Sequence, residues 1–254
     1  MRILKLFVAA QIALVCFCSL SLADSGPVPF LPVCQRAPVI KSAIEDVFQR
    51  NCARLTEADL ATITNLNPIQ GTITSLKAGD FSGLSAQKTL SLRGLTILQI
   101  EANAFQGLTS LQTLDLTGVS VNAIDADAFA GMPALVDLNL AGNALIALQP
   151  GTFNGLSQLG KLDLSGNDLV TIAPGAFEGL NSLSVLHLQQ NQIRYLDTQS
   201  FQGLQNLYLI DLSKNQLTYI QPDLYSAFAT TIAPHGTVTF DQNPVPLAPP
   251  TPIE

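Results

Sequence analysis

Histidine is the side chain that most often moves protons in enzymes near neutral pH, and this chain contains only two, His187 and His235. Neither lies in a catalytic motif, because the chain has no Gly-x-Ser-x-Gly turn, no glycine-rich phosphate loop and no His-Glu-x-x-His sequence. The glycines fall in turns, where they serve backbone conformation. The sequence therefore predicts that the protein is not an enzyme and uses no cofactor.

Metal chemistry has few candidate ligands in this sequence. Cys34 and Cys52 have no histidine near them, and two cysteines cannot fill a tetrahedral zinc shell. Asp125 and Asp127 flank a predicted turn, but no loop offers the roughly six to eight oxygens that Ca²⁺ takes. We therefore predict no metal site.

Apart from catalysis and metal binding, polar side chains can recognise a partner. In this sequence, polar side chains recur at a fixed interval. Every 24 residues a polar side chain stands at the same place, namely at Ser91, Asp115, Asn139, Asp163, His187 and Asp211. Leucines alternate with these residues, as Leu114 and Leu116 do around Asp115, which is the period of a β-strand with one buried face. Positioning such a row requires structural elements that repeat at the same interval.

A recurring phenylalanine supplies those elements. The sequence Phe-x-Gly-Leu, once with Met in place of Leu, returns every 24 residues with its aromatic ring at Phe81, Phe105, Phe129, Phe153, Phe177 and Phe201. A constant period in this range indicates a solenoid whose units pack only on their neighbours. Burying one phenylalanine ring contributes about 2–3 kcal/mol. We therefore expect the rings to stack in register as a continuous spine.

Leucines and asparagines complete each unit, which in one copy reads Leu159, Leu162, Leu164, Asn167, Leu169, Ile172 and Phe177. These residues resemble the 24-residue extracellular form of the leucine-rich repeat family, over roughly three quarters of the chain. The resemblance implies an α/β solenoid, a right-handed leucine-rich repeat horseshoe with a parallel concave β-sheet and an irregular convex side. The amides expected to bond the backbone of adjacent turns are those of Asn143, Asn167, Asn191 and Asn215.

Composition divides the chain into four segments. Residues 1–23 combine two basic residues, an apolar run and small residues before a cut after Ala23, which predicts a secretory signal peptide. Residues 24–62 show helical periodicity from Pro38 onward, and we interpret them as a helical cap over the open apolar end of the solenoid. Residues 63–244 hold seven repeats plus a terminal partial unit, and residues 245–254 form a proline-rich tail.

Two alternatives to this division stay open. The apolar run could be retained as a membrane anchor, although it is short for a full span. Residues 24–62 could be an independent functional domain, although the segment is small for a core of its own.

The cysteines support export. Cys16 and Cys18 fall in the predicted signal, and the remaining pair, Cys34 and Cys52, indicates one disulfide in an exported protein, with two free thiols as the alternative. This cap, with Thr56 and the acidic residues after it, is similar to the N-terminal region of exported bacterial leucine-rich repeat proteins. The resemblance implies a secreted, extracellular or cell-envelope location, periplasmic or on the surface if the source is bacterial.

The exposed face of the predicted sheet is the candidate binding surface. It is polar and mildly acidic, and its most distinctive part mixes apolar, aromatic and acidic groups as interface anchors do. The predicted partner-binding residues are Asp115, Asp137, Asp163, Val185, His187, Tyr208, Leu209 and Asp211. The alternative for any one of them is an ordinary solvated position on a sheet.

Charge limits the class of partner. The net charge of −7 and the absence of Trp argue against nucleic acid and against an anionic membrane surface. We expect a monomer that binds a protein or peptide with basic groups and does not insert stably in a membrane after signal cleavage.

The predicted function is that of an exported, non-enzymatic binding protein acting in adhesion, host or envelope interaction. The alternatives are a structural or scaffolding envelope protein without a high-affinity ligand, and an inhibitor that wraps an enzyme.

Overall fold

The computed structural model describes residues 31–66, 69–220, 224 and 232–244. The predicted signal peptide at 1–23 and the predicted tail at 245–254 lie outside these residues. The boundaries drawn at 62/63 and 244/245 stay predictions. Among the described helices the longest has 11 residues, and none has the length and apolarity needed to cross a membrane.

The N-terminal segment is helical, as its periodicity predicts. Helix α1 spans Pro38–Phe48 and helix α2 spans Glu57–Leu60, with short 3-10 turns at Val33–Gln35 and Cys52–Arg54. Proline suits the first turn of α1 because no helical partner is lost there. The apolar residues that α1 and α2 bury, Ile40, Ile44 and Leu60, belong to the same core as the repeats. Val47 falls on the same helical period as these residues, but it is 48% exposed.

Capping and a disulfide fix the path between the two helices. The Thr56 hydroxyl accepts a hydrogen bond from the Asp59 N–H at 3.2 Å, and the Asp59 carboxylate accepts one from the Thr56 N–H at 2.8 Å. This reciprocal pair satisfies N–H groups that the first turn of a helix leaves free. Cys34 and Cys52 form the predicted disulfide, with their Cα atoms 5.2 Å apart.

A buried arginine joins the helical segment to the first repeat. Arg36 is 4% exposed, and its guanidinium donates hydrogen bonds to the carbonyl oxygens of Leu31, Asp80 and Ser82. The Asp80 carboxylate in turn accepts the Ala37 N–H at 2.9 Å. Burial lowers the pKa of Arg36 to about 10, although the charge of Asp80 acts in the opposite direction. The pair therefore ties positions that lie 44 residues apart in the sequence.

Twelve strands are described, and all their pairings are parallel. In chain order they are β1 (Ser75–Leu76), β2 (Thr89–Ser91), β3 (Gln99–Ile100), β4 (Thr113–Asp115), β5 (Ala123–Ile124), β6 (Asp137–Asn139), β7 (Ala147–Leu148), β8 (Lys161–Asp163), β9 (Thr171–Ile172), β10 (Val185–His187), β11 (Leu207–Asp211) and β12 (Ile232–Thr239).

The strands form one long sheet and two short ones. The concave sheet has seven strands in the order β2-β4-β6-β8-β10-β11-β12, and the convex side carries β1-β3-β5 and β7-β9 between turns. Strands β4 to β11 pair residues 24 apart, for example Leu114 with Leu138, so each turn of the solenoid repeats the last. The parallel solenoid expected from the sequence is confirmed.

The phenylalanine spine is also confirmed. Consecutive rings from Phe81 to Phe201 lie with centroids 5.5 to 6.1 Å apart and nearly parallel planes. All six rings are buried. Opposite them, each concave strand from β2 to β10 buries a central leucine and β11 buries Ile210, so the core runs along the solenoid between sheet and spine.

The asparagine ladder forms as expected. The Asn167 amide donates to the carbonyl oxygens of Leu140 and Leu164 at 3.0 and 2.9 Å, and its oxygen accepts the Leu145 N–H. Equivalent bonds are made by Asn143, Asn191 and Asn215. Each amide thus satisfies backbone groups of two turns that would otherwise be buried without partners.

Where the asparagine is missing, the main chain takes its place. Val119 stands at the asparagine position of its repeat, and its carbonyl oxygen accepts the Ile97 N–H at 2.7 Å. One repeat later the equivalent Val121 N–H is accepted by the Asn143 side chain. In this repeat a main-chain carbonyl oxygen therefore takes the acceptor role of the asparagine side chain.

The two ends of the solenoid depart from the regular unit. The first predicted unit contributes β1 on the convex side, and its described residues include no concave strand. At the other end the partial unit contributes β12, whose pairing with β11 shifts register between Leu207 and Leu209. Asn243 extends the ladder there, because its oxygen accepts the Leu217 N–H at 3.1 Å.

Candidate functional site

Two rows of side chains cross the concave sheet on either side of the buried leucines. In register, the first row is Thr89, Thr113, Asp137, Lys161, Val185, Leu209 and Thr237. The second row is Ser91, Asp115, Asn139, Asp163, His187, Asp211 and Thr239. Neighbours within a row lie on adjacent strands, whose backbones are about 4.8 Å apart.

Seven of the eight residues predicted from the sequence lie in these two rows. Asp137, Val185 and Leu209 lie in the first row. The second row contains Asp115, Asp163, His187 and Asp211. Tyr208 precedes Leu209 on β11 and is 51% exposed. Their use by a partner stays a prediction.

The second-row acids have a local role that the sequence reasoning missed. One carboxylate oxygen, Oδ1, accepts the N–H of the residue two positions on, as in Asp115 to Thr117 at 3.0 Å and Asp163 to Ser165 at 3.0 Å. Asn139 makes the same bond with its amide oxygen, to the Ala141 N–H at 2.9 Å. These bonds hold the bend after each strand, as Asp and Asn often do. The recurring Asp/Asn-Leu-Ser/Thr/Ala pattern was the signal for them.

The charges of the face are balanced unevenly. In its N-terminal part, Arg93 Nε lies 3.7 Å from Asp115 Oδ2, and Lys161 Nζ lies 3.9 Å from Asp137 Oδ2. Among the described residues no comparable ion pair reaches Asp163 or Asp211. Exposed pairs of this kind stabilise a fold little, but they do neutralise the local field. Negative charge is therefore left over around β8 and β11.

His187 occupies the place between those two acids. It pairs in register with Asp163 on one side and Asp211 on the other. Within the described part of the chain, its buried Nδ1 atom has no hydrogen-bond partner, and neither does the buried Oε1 atom of Gln189. In this repeat the bend therefore lacks the acceptor that Asp or Asn supplies elsewhere. A buried polar atom left unpaired costs about 1–3 kcal/mol.

Hydrogen bonding lowers the pKa of the Asp211 carboxyl group. Its burial acts to raise the pKa of the carboxyl group, but the Thr239 hydroxyl at 2.7 Å and the Ser213 N–H at 2.9 Å donate to Oδ1. Together with the neighbouring His187 they outweigh burial, so the pKa of Asp211 lies below its ordinary value.

The described residues contain no cluster of three or more His, Cys, Asp or Glu able to hold a metal ion.

A family model decides what kind of chain this is. The model described as "Leucine rich repeat" matches residues 86–145, 109–169, 135–193, 159–217 and 182–228, which together span more than half of the chain. The chain belongs to the leucine-rich repeat family. No curated protein matches it.

Solved structures share the fold of this leucine-rich repeat chain. A chain of the Drosophila Toll–Spatzle complex matches with a TM-score of 0.64 and 24% identity, covering 76% of this chain and 26% of its own length. A Listeria monocytogenes internalin, inlF, matches with a TM-score of 0.57 and 18% identity over 89% of this chain and 69% of its own. A chain of the mouse RP105/MD-1 complex matches with a TM-score of 0.57 and 26% identity, over 68% of this chain and 29% of its own.

The present repeat protein thus spans under a third of the Toll–Spatzle and RP105/MD-1 chains that it matches. The likeness to Toll–Spatzle and the internalin concerns the fold alone. The shared feature is the stacked repeat with its concave parallel sheet. Which molecule is bound depends on the side chains of that sheet, and these belong to this chain.

Proposed function

We propose that this chain is an exported, non-enzymatic leucine-rich repeat protein that binds a protein or peptide on its concave face, mainly over β8, β10 and β11. The observation that carries the proposal is the mixed character of this part of the sheet. Half-buried Val185 and Leu209 and exposed Tyr208 lie beside two acids without a described ion pair. Apolar and aromatic groups that stay accessible beside charged ones are typical of interface anchors.

Two further observations support the proposal. The mouse RP105/MD-1 structure, in which the matching chain is 26% identical to this one, is a complex of two proteins. The Cys34–Cys52 disulfide agrees with an oxidising, exported setting, as does the signal-like sequence of residues 1–23. The acidic net charge of −7 favours a partner with basic groups.

The test is capture with matched variants. Residues 24–254 are immobilised, captured proteins are identified from fractions of the source cells and of any host, and each is purified and titrated back. The site variant carries Val185→Thr and Tyr208→Ser, which remove apolar area. The control variant carries Thr89→Ala and Thr113→Ala, in the first row of the other half of the sheet.

The proposal predicts a partner that the native chain and the control bind and the site variant loses. A partner bound equally by all three would place binding away from β8, β10 and β11 and overturn the assignment. Absence of any partner would favour the structural or scaffolding role. A captured enzyme that loses its activity on binding would favour the inhibitor role.

A further inference from the structure

We infer that the concave face receives an arginine side chain of its partner between Asp163 and Asp211. This inference rests on the proposed function and names the chemistry of its ligand. The two acids flank His187 in the second row, two strand spacings or about 10 Å apart. Neither carboxylate has a described ion pair, and the chain has a net charge of −7, so a cationic group of the partner would bind here favourably.

Each carboxylate presents one oxygen in a fixed position. Oδ1 of Asp163 accepts the Ser165 N–H and hydroxyl at 3.0 and 2.6 Å, and Oδ1 of Asp211 accepts from Ser213 and Thr239. No described hydrogen bond reaches Oδ2 of either acid. Because Oδ1 holds the rotamer, binding a cation at Oδ2 loses little side-chain entropy.

The chain itself contains a contact between a guanidinium and an acid of this row, namely that of Arg93 with Asp115 at β4. Oδ1 of Asp115 accepts the Thr117 N–H, and it is Oδ2 that lies 3.7 Å from Arg93 Nε. Asp115 stands in the same row as Asp163 and Asp211. The internal pair shows how a guanidinium meets an acid of this row once its Oδ1 is engaged in the bend.

The groups between the acids favour arginine over lysine. His187 Nδ1 and Gln189 Oε1 are buried atoms without a described partner, in side chains that are themselves half-buried. Acceptors spread over the three strands β8, β10 and β11 suit the five N–H donors of a planar guanidinium better than the three of an ammonium. Val185 and Leu209, in the neighbouring row, offer apolar surface to the arginine methylenes.

The experiment selects peptides on residues 24–254 from a phage-displayed library of random dodecamers. Three baits are compared: the native chain, Asp163→Asn with Asp211→Asn, and Asp125→Asn with Asp127→Asn as the matched control, which removes the same charge in the turn after β5 on the convex side. Asparagine at 163 and 211 keeps the bend bond, as Asn139 does in its own repeat, so that variant loses charge and keeps the fold. Thermal melts of the three baits check this.

We expect the native chain and the control to enrich peptides with arginine beside an apolar residue, and the Asp163/Asp211 variant to lose them. For a selected peptide measured by calorimetry, replacing its arginine by lysine or pairing it with that variant should weaken binding about tenfold or more. Enriched peptides without arginine, equal binding of arginine and lysine, or an unaffected variant would overturn the inference.

The two proposals fail differently. Peptides without arginine that bind the native chain but not the Val185/Tyr208 variant would keep the proposed function and remove the arginine site. Absence of any enriched peptide would overturn the arginine inference, while protein capture with the matched variants would still decide the proposed function.

Discussion

The two halves of the concave face have the same repeat structure, but they differ in whether their acidic side chains form ion pairs within the chain. Over β2, β4 and β6, Asp115 pairs with Arg93, and Asp137 pairs with Lys161 of the adjacent strand β8. Over β8, β10 and β11, Asp163 and Asp211 have no such described partner, and Val185, Leu209 and Tyr208 bring accessible apolar area. A repeated scaffold thus presents a neutralised surface at one end and an unbalanced one at the other.

The comparison teaches that a period in the sequence does not distribute function evenly. Every repeat builds the same strand and bend, so differences between repeats reside in the two exposed rows. The bend at His187 lacks the Asp or Asn acceptor that other repeats use, and it lies in the unbalanced half. Substitutions at Phe153, Asn167, His187 and Asp211 test this contrast.

The first prediction concerns the core that both halves share. Phe153→Ala should lower the free energy of unfolding by about 3–5 kcal/mol, because it leaves a cavity between two stacked rings. Urea denaturation followed by circular dichroism measures it. The exposed neighbour Gln158, changed to alanine, should leave stability within about 0.5 kcal/mol. An unchanged melt for Phe153→Ala would show that the rings do not hold the repeats together.

The second prediction compares the asparagine ladder with its replacement in the N-terminal half. Asn167→Val should cost about 2–4 kcal/mol, because the Leu145 N–H and the Leu140 carbonyl oxygen lose buried partners. The same urea experiment measures it. Val119→Asn is the reverse change, and we expect it to give no gain in stability, because the Val119 carbonyl oxygen already accepts the Ile97 N–H and the added amide would be buried. A more stable Val119→Asn chain would contradict the contrast.

The third prediction addresses the exceptional bend. His187→Asn should raise the free energy of unfolding by about 1 kcal/mol, because asparagine supplies the bend acceptor that Asn139 supplies in its repeat. The same change should weaken partner binding if the position is used for recognition. The reverse exchange, Asn139→His, should destabilise by a similar amount and leave binding intact. If the His187→Asn chain is no more stable than the native one, the missing acceptor does not destabilise this bend.

The smallest predicted effect is the pH dependence that Asp211 contributes. Its pKa in the folded chain is lowered, so the carboxylate adds stability that is fully present above the unfolded value of about 3.9 and is lost as pH falls through the folded value. Asp211→Asn should therefore be less stable than the native chain at pH 7. The gap should shrink below about pH 4. Urea denaturation from pH 7 to pH 3 measures the gap, and a constant difference would contradict the prediction.

Much of the fold could be predicted because its causes are local and periodic. The 24-residue interval sets which residues meet in neighbouring turns, so the phenylalanine spine, the ladder from Asn143 to Asn215 and the parallel register follow from spacing. The candidate binding rows could be located for the same reason, because the strand period assigns alternate residues to the open face.

The sequence by itself determined the repeat, its core and the two exposed rows, because each depends on a regular interval between like residues. Tertiary structure decided what those rows present. The pairing of Arg93 with Asp115, the use of Oδ1 in each bend and the clasp of Arg36 on Asp80 depend on side-chain orientation between separate turns. Spacing fixes which backbones are adjacent, but charge balance is set by which side-chain atoms meet, and only the folded solenoid brings those atoms together.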